Sequence, residues 1–433
     1  MKSLAQIAQA LEGYDPDALA AETVNAFLAE MVPLPTQTQS LELMHALGRV
    51  LAQDVISPID VPAHDNSAMD GYAFDGSALN ATQALQLRVV GTALAGKAYE
   101  GKVTAGQCLK IMTGAIVPPP LNTVVPQELV QIQGRDILIP PGLLRVGDNR
   151  RFRGEDVPCG SVALAAGTVL TPACMGLLAS LGLSTVQVYR KLRVAYFSTG
   201  DEILSLGDAP REGAVYDSNR FTIWGLLQGM GIECVDLGVV RDDPVALESA
   251  FREAAQQADA IVTSGGVSVG EADHTKAMMR KLAHSEAPGQ GGVAFWRIAM
   301  RPGRPMAVGR IGQVPLFGLP GNPVAVMVTF LAFVRPALWR MMGARANDPQ
   351  VDSPLLQACS SEAIRKKPGR TEYQRAIVSR AADGTLNVRT TGQQGSGVLS
   401  SMVQANGLMV LPHAQGNIAI GDVVEVMMFA GVL

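Results

Sequence analysis

Cysteine and histidine are scarce in this sequence of 433 residues, and neither is clustered. The five cysteines stand singly without a CxxC pair, and the five histidines lack the spacing of zinc ligands. Glu12, Asp15 and Asp17 interrupt the segment in which a secretory signal would need a continuous apolar core. We therefore expect isolated thiols in a reducing, cytoplasmic environment.

Charge of one sign is also lacking, because 35 basic residues nearly balance 39 acidic ones and leave a net charge of −4. That balance and an aromatic content of 5% argue against a protein that binds nucleic acid through a basic surface and stacked rings. Apolar residues make up 48% of the chain, which indicates a folded protein with substantial cores. Its 45 glycines and 26 prolines show no period, so many turns and much β structure are expected.

One long uncharged run, residues 311–334, has the composition of a membrane span. Its middle reads GLPGNP, and this cluster of turn-forming residues divides the run. The pattern predicts a short apolar strand, a turn, and a helix that begins at Pro323 with Asn322 as N-cap. We expect Pro336 to kink or end that helix.

At about 150 residues per domain, the length predicts roughly three domains. Residues 1–56 begin with helical patterns, and 57–156 contain short strand-like runs between glycine and proline clusters, which suggests a small β domain. Residues 190–342 alternate apolar runs with helical segments, as in a parallel α/β sheet, and Asp217 or Ser218 and Asp243 are expected to cap helices there. After about Pro354 the pattern predicts a compact β domain.

Carboxylates follow three apolar runs of the α/β segment. They are Asp201 and Glu202, Asp242 and Asp243, and Glu271 and Asp273. Ligands of open parallel sheets bind beyond the carboxyl ends of the strands, and Mg²⁺ takes one or two carboxylates together with substrate phosphate. Helix capping is the alternative for each aspartate taken alone.

Basic residues concentrate in one acid-free stretch. Between Glu286 and Asp348 there is no acidic residue, while seven arginines occur: Arg297, Arg301, Arg304, Arg310, Arg335, Arg340 and Arg345. Two further basic loops contain Arg150, Arg151 and Arg153, and Lys366, Lys367, Arg370 and Arg375. We predict that these three loops share one anion site, although a solvated basic surface is the alternative.

The segment TSGGVSVGEAD admits three interpretations. It has the glycine spacing of a P-loop, but Glu271 stands where the phosphate-binding lysine must be. It contains a formal G-x-S-x-G nucleophile motif around Ser268, so a serine hydrolase remains an alternative, although His274 is too close in sequence to be a separately positioned base. The third interpretation is a glycine-rich loop, beginning at Ser264, Gly265 and Gly266, that receives a phosphate.

Eleven ordered segments together resemble the molybdenum-inserting enzymes of molybdenum cofactor biosynthesis, the MoeA family, which shares its fold with the E-type domains of plant and animal proteins. The segments are DNSAMDGYA (65–73), IMTGA (111–115), RFRGEDV (151–157), FSTGDE (197–202), YDSNR (216–220), RDDP (241–244), SGGVSVGEAD (264–273), RPGRP (301–305), GLPGNPVA (318–325), PGR (368–370) and TTGQQGS (390–396).

The resemblance implies a fold with a linker domain (1–56 plus 157–189), an inserted β domain (57–156), a molybdopterin-binding three-layer α/β domain (190–342) and a C-terminal β-barrel (343–433). It implies insertion of molybdate into adenylylated molybdopterin with Mg²⁺-dependent release of AMP. It also implies a homodimer whose clefts combine both subunits, with transient contacts to the adenylyltransferase and to molybdoenzyme acceptors.

Site residues follow from the same resemblance. It assigns cleft or catalytic roles to Asp70, Thr113, Asp156, Glu202, Asp242 and Asp273, with Asp242 and Asp273 as the Mg²⁺ ligands. Phosphate and molybdate oxygens would be held by Ser264, Gly265, Gly266, Arg297, Arg301, Arg304, Pro305, Arg370 and Ser396. Taken alone, Thr113, Asp70 and Ser396 could equally stabilise turns.

The sequence departs from the family pattern in two respects. Arg297, Arg301 and Arg304 stand where familiar members often carry lysine, and Ala325 stands where many carry serine. Arginine keeps the charge but changes its geometry, and alanine lacks a hydroxyl donor. An alternative of another class is a ligand-binding scaffold of this fold without turnover, like the animal homologue.

Overall fold

The computed structural model describes residues 2–11, 13–266, 274–285, 292–352 and 354–430. Near the N-terminus, two antiparallel pairs join early residues to residues that follow the inserted sheet: Thr38–Glu42 with Thr185–Tyr189, and Val55–Ile56 with Val162–Leu164. The helices of this part are Leu4–Ala10, Ala21–Met31 and Pro172–Ser180. Phe27 packs edge-on against Trp296 with ring centroids 4.9 Å apart, so this part is attached to the α/β core.

A six-stranded sheet is inserted in the sequence between the paired strands Val55–Ile56 and Val162–Leu164. Its spatial order is Thr123–Pro126, Gly71–Phe74, Gln107–Ile111, Leu85–Ala93, Asp136–Ile139 and Gln131–Gln133. Alternate residues of Gly71–Phe74 enter different clusters, because Ala73 packs with Leu109 while Tyr72 and Phe74 pack with Cys108. The short strands Asn66–Ser67 and Arg150–Arg151 pair at the base of this inserted sheet.

The α/β part contains the predicted parallel-rich sheet. Its spatial order is Glu233–Val240, Arg193–Thr199, Ala260–Ser264, Val314–Leu319, Pro305–Ile311 and Gly292–Arg297, of which the first four are parallel. Val194 and Tyr196 enter one core cluster and Ala195 and Phe197 another, so both faces are covered. The covering helices are Ser218–Gly229, Pro244–Gln257, His274–Ser285 and Pro323–Thr329. The three-layer prediction is confirmed.

The helix starts follow their capping residues. Asp217 accepts a hydrogen bond from the backbone N–H of Arg220, and Asp243 accepts from the backbone N–H groups of Val245 and Ala246, as the cap predictions require. Asn322 precedes the helix at Pro323, but its side chain makes no capping bond.

The helix that begins at Pro323 does not end at Pro336. It passes through a π-helical segment, Phe330–Val334, and continues as Arg335–Met341. The continuous run Pro323–Met341 is long and apolar enough to span a membrane, yet 83% of its most apolar 18-residue window is buried within the protein. Core helices share these properties, and the run packs in the main apolar cluster.

The C-terminal strands close into a five-stranded barrel. They are Leu356–Ser360, Thr371–Arg380, Leu386–Thr390, Gly407–Leu411 and Val423–Met428, with a short helix at Ser400–Gln404. Closure comes from the pairing of Thr371–Arg380 with both Leu386–Thr390 and Gly407–Leu411. The two-residue strand Met300–Arg301 of the α/β part pairs with Thr371–Glu372, so the barrel is hydrogen-bonded to the α/β part. The barrel prediction is confirmed.

Candidate functional site

Two glycines follow the strand Ala260–Ser264 at the edge where the parallel strands end. Gly265 has φ +87°, and a Cβ there would lie 2.3 Å from the backbone oxygen of Thr199. Gly266 has φ +63°, and its Cβ would lie 2.4 Å from Thr275 Oγ1. Only glycine allows this left-handed turn and close approach. Ser268, Glu271 and Asp273 lie outside the described residues.

Ser264 belongs to a buried network of hydroxyl groups. Tyr196 Oη lies 2.6 Å from Ser264 Oγ and 2.9 Å from Ser198 Oγ, and Ser198 donates to Asp217 Oδ1 at 2.9 Å. Burial raises the pKa of the Asp217 carboxyl, which is 3% exposed. Sequence reasoning assigned no site role to Tyr196, Ser198 or Asp217, because they sit in an apolar run and at a helix cap.

The GNP turn lies between this network and the barrel. Asn219 Nδ2 donates to the carbonyl oxygen of Gly321 at 2.8 Å. On the barrel side, Asn322 Nδ2 donates to Ser396 Oγ at 3.0 Å, and the backbone N–H of Val324 donates to the Ser396 carbonyl at 3.1 Å. The structure therefore brings the predicted residue Ser396 to the turn that begins the core helix.

Carboxylates gather beside the glycine turn. Asp242 is half-buried; its Oδ1 accepts from Thr275 Oγ1 at 3.2 Å, and its backbone N–H donates to Asp201 Oδ1 at 3.4 Å. Glu202 is exposed, and its carboxylate lies over Gly200, where a Cβ would approach Oε2 to 2.5 Å. The sequence predicted carboxylates beyond the ends of three strands. Two of these strand ends are described, and both carry carboxylates beside the glycine turn.

The donor set near Asp242 fits magnesium better than a tightly chelated transition metal. Within the described ranges no three His, Cys, Asp or Glu side chains form a metal-binding group. Asp242 and Asp201 supply carboxylate oxygens on adjacent loops, and Mg²⁺ typically takes one or two carboxylates while retaining water. The partner ligand predicted by resemblance, Asp273, lies outside the described residues.

Strand register places the arginine loop at the same edge. Pro305 begins the strand that runs antiparallel to Val314–Leu319, and Ala307 pairs with Gly318 near the end of that strand. Arg297 pairs with Pro305 in the next strand. Because Val314–Leu319 is parallel to Ala260–Ser264, the segment from Arg297 to Pro305 lies where the parallel strands end.

Glu372 of the barrel connects Arg301 of the α/β part with Arg370 of the barrel. Arg301 is the register partner of Glu372, and Arg370 donates through Nε to Glu372 Oε1 at 2.8 Å. Glu372 is 2% exposed and also accepts from Gln374 Nε2. In the described part of the chain, no carboxylate forms an ion pair with Arg297, Arg301 or Arg304, all of which are exposed.

The other predicted cations do not join this group. Arg151 and Arg153 pair with Glu155 and Asp60 inside the inserted part, and Arg150 Nη1 lies 3.5 Å from Asp65 Oδ2. Lys366 and Arg375 are buried in the barrel and donate to backbone carbonyls. Most of these donors already have local acceptors, so within one chain the structure does not support a single anion site shared by all three basic loops.

A second group of predicted residues lies in the inserted part. Asp70 Oδ1 accepts from both the backbone N–H and Oγ1 of Thr113, each at 2.7 Å, and these donors lower the pKa of the Asp70 carboxyl. Asp156 is exposed, and its backbone N–H donates to Val61. Ala325, by contrast, is 2% exposed in the core helix beside the GNP turn.

Comparison with known proteins covers nearly the whole chain. Residues 19–182 match the MoeA N-terminal region (domain I and II), 195–340 a probable molybdopterin binding domain, and 357–429 the MoeA C-terminal region (domain IV). Molybdopterin molybdenumtransferase from Haemophilus influenzae is 39% identical over 93% of this chain and 96% of its own length. The Nostoc enzyme of that name is 33% identical over 96% and 95%.

A solved structure agrees with the fold. The molybdopterin biosynthesis MoeA protein from Pyrococcus horikoshii superposes with a TM-score of 0.77 at 27% identity and covers 95% of this chain and 100% of its own.

At this strand edge, where a three-layer α/β domain meets a barrel, carboxylates and hydroxyl groups lie near arginines that form no ion pair with a described carboxylate. Such an edge is suited to an anionic ligand of the phosphate type. The matches to known proteins identify the family. The chain belongs to the molybdopterin molybdenumtransferase family, MoeA, and is an enzyme of molybdenum cofactor biosynthesis.

Proposed function

We propose that this enzyme inserts molybdate into adenylylated molybdopterin with Mg²⁺-dependent release of AMP. The observation that carries the proposal is that Arg297, Arg301 and Arg304, from the acid-free stretch of sequence, form no ion pair with any carboxylate that the structure describes. Molybdate is a tetrahedral dianion, and guanidinium groups bind such oxyanions by charge-assisted hydrogen bonds. An anionic substrate therefore supplies the missing counter-charge.

The roles of the remaining groups follow from their positions. Ser396 Oγ accepts from Asn322, so its own hydrogen is available to an oxyanion. Ser264 and the Gly265–Gly266 turn lie at the strand end where the phosphate of the adenylylated substrate would bind. Asp242, together with Asp273, would hold Mg²⁺. Mg²⁺ held there would supply Lewis-acid polarisation of the phosphoryl group. An oxygen nucleophile that attacks phosphorus would form the new P–O bond as the bond to the leaving group breaks, with AMP as one of the two products.

The inserted part has its own place in the proposal. Asp70 and Thr113 are bonded to each other within that part, and their contacts do not include the glycine turn. In a homodimer, the inserted part of one subunit would complete the cleft of the other with Asp70, Thr113 and Asp156. The proposal places this dimer in the cytoplasm, in transient contact with the adenylyltransferase and the molybdoenzyme acceptors.

The decisive experiment measures AMP release from adenylylated molybdopterin by the purified protein under anaerobic conditions. Molybdate and Mg²⁺ are each omitted in turn. The proposal predicts release only when both are present. A folded protein that binds the substrate but releases no AMP under any condition would refute it and favour the ligand-binding scaffold.

A carboxylate variant tests the metal role. Asp242→Asn is expected to lower Mg²⁺-dependent AMP release at least about tenfold while substrate binding changes less, because a metal ligand acts mainly in the chemical step. Asp383→Asn, in an exposed barrel turn, is the matched control and should behave like the wild type. Equal losses of binding and release in Asp242→Asn would assign that carboxylate a binding or structural role.

A further inference from the structure

Arg375 is a fully buried cation in the barrel strand Thr371–Arg380. Its guanidinium donates through Nε to Ser401 Oγ at 2.9 Å and through Nη2 to the carbonyl oxygens of Gln393 and Gly395, at 3.1 and 2.9 Å. All three acceptors are neutral. Burial lowers the pKa of Arg375 to about 10, so the group remains protonated at neutral pH.

The backbone of Arg375 holds the same loop from a second direction. Its N–H donates to Gln394 Oε1 at 2.9 Å, and its carbonyl accepts from Gln394 Nε2 and from the backbone N–H of Thr391, both at 3.1 Å. The loop 391–395 is therefore held by both the side chain and the backbone of Arg375. The next residue along the chain is Ser396.

Ser396 is the point where this loop contacts the α/β part. Its hydroxyl accepts from Asn322, and its carbonyl accepts from the backbone N–H of Val324. The direction of the remaining hydroxyl hydrogen depends on the placement of the loop. That placement depends in turn on the two carbonyl groups that Arg375 holds.

We propose that Arg375 is a positioning residue, which orients the Ser396 hydroxyl toward the oxyanion of the substrate by fastening the carbonyls of Gln393 and Gly395. The inference rests on the proposed function, since it takes the oxyanion site at Ser396 as given. Arg375 itself contacts no substrate. A lysine would keep the charge but lacks the planar fork that donates to several acceptors at once.

The test compares Arg375→Lys, Ser396→Ala and the double variant in the full-length chain, with Arg380→Lys as control. Arg380 lies at the exposed end of the same strand. Arg375→Lys is expected to raise KM for molybdate about tenfold, the scale of one lost hydrogen bond to a charged group, with little change in KM for adenylylated molybdopterin. Because both residues act through one hydroxyl, the double variant should lose no more than Ser396→Ala alone.

Additive losses in the double variant, or an unchanged KM for molybdate in Arg375→Lys, would overturn the proposal. Amide hydrogen exchange of residues 391–396 supplies a readout that needs no turnover. Faster exchange in Arg375→Lys than in Arg380→Lys is expected, and equal exchange would contradict the fastening role. If the wild type releases no AMP, the proposed function fails, yet the exchange comparison still decides whether Arg375 holds the loop.

A second variant covers the case in which Arg375→Lys does not fold. Gln394→Ala removes the two side-chain bonds to the Arg375 backbone without disturbing a buried charge. It is expected to raise KM for molybdate and to speed exchange of the loop in the same direction. A folded Gln394→Ala protein with wild-type values for both would also overturn the proposal.

Discussion

Replacement of Glu372 by glutamine probes the link between the barrel and the exposed arginines Arg297, Arg301 and Arg304, which we call the arginine edge. Glu372 is 2% exposed; one carboxylate oxygen accepts from Arg370 at 2.7 and 2.8 Å, and the other accepts from Gln374 at 2.9 Å. Glutamine keeps the size and one acceptor oxygen but removes the negative charge. The amide NH₂ would then face the Gln374 amide, which must rotate to present its own oxygen.

The expected loss of unfolding free energy is modest because two effects of the replacement oppose each other. A hydrogen bond to a charged group contributes about 1.5–3 kcal/mol and a neutral one about 0.5–1.5 kcal/mol, so the exchange weakens the pair by roughly 1–2 kcal/mol. The side chain of Arg370 is 36% exposed, and removal of a buried carboxylate also relieves its desolvation. We therefore expect Glu372→Gln to lower the free energy of unfolding of the barrel by about 1 kcal/mol.

Thermal unfolding followed through the barrel transition measures this change. For a domain of this size about 1 kcal/mol corresponds to a midpoint lower by roughly 4–8 °C. Glu425→Gln, at an exposed barrel position, is the control and should stay within about 0.5 kcal/mol of the wild type. KM for molybdate should also rise in Glu372→Gln, because a weaker hydrogen bond to residue 372 holds the Arg370 guanidinium less firmly. If Glu372→Gln were as stable as Glu425→Gln, the ion pair would not hold this edge.

Three further predictions concern the glycine turn, the buried network and the inserted part. Gly265→Ala should destabilise the protein more than Gly384→Ala. Both glycines have φ near +90°, but only a Cβ at Gly265 would lie 2.3 Å from a backbone oxygen, and the unfolding midpoints of the two variants measure the difference. Burial raises the pKa of Asp217 above its usual value of 3.8, so its proton stabilises the fold at low pH and that contribution is lost as pH rises above that value. Asp217→Asn should therefore gain stability relative to the wild type as pH rises above 3.8, measured by denaturant titration. The backbone N–H and the Oγ1 of Thr113 lower the pKa of Asp70 from 3.8, so the stabilising contribution of Asp70 is present above that value and lost as pH falls below it. Thr113→Val removes only the Oγ1 donor, so it should be less stable than the wild type at neutral pH and converge with it in acid unfolding.

Local sequence signals predicted the elements well because each has a local physical cause. Asp217 and Asp243 satisfy exposed N–H groups at helix starts, and that requirement is visible in a few neighbouring residues. Asn322 has the same chemistry, yet its side chain donates to Ser396 in the barrel. A cap prediction could not include this bond, because the competing acceptor lies 74 residues away in the sequence.

Burial of charge was the main feature that the sequence did not reveal. Lys366 and Arg375 stand in a basic, turn-rich segment that is typical of a solvated loop, but the barrel encloses both. Tyr196 and Ser198 lie in an apolar strand and looked like core residues, although their hydroxyl groups form a connected polar network. Alternation along a strand predicts which face a side chain takes, but not the partners it meets there.

The acid-free stretch between Glu286 and Asp348 takes on a structural meaning once the barrel is in place. The barrel brings one buried carboxylate, Glu372, to the backbone of Arg301, and that carboxylate is bonded to Arg370 and Gln374. Both of its oxygens thus accept hydrogen bonds within the barrel. Among the described residues no carboxylate forms an ion pair with Arg297, Arg301 or Arg304, and repulsion between these like charges disfavours their arrangement until an anion binds. An oxyanion substrate should therefore stabilise the junction of the two domains as well as occupy it, and molybdate should raise the unfolding midpoint of the wild type more than that of Arg301→Gln.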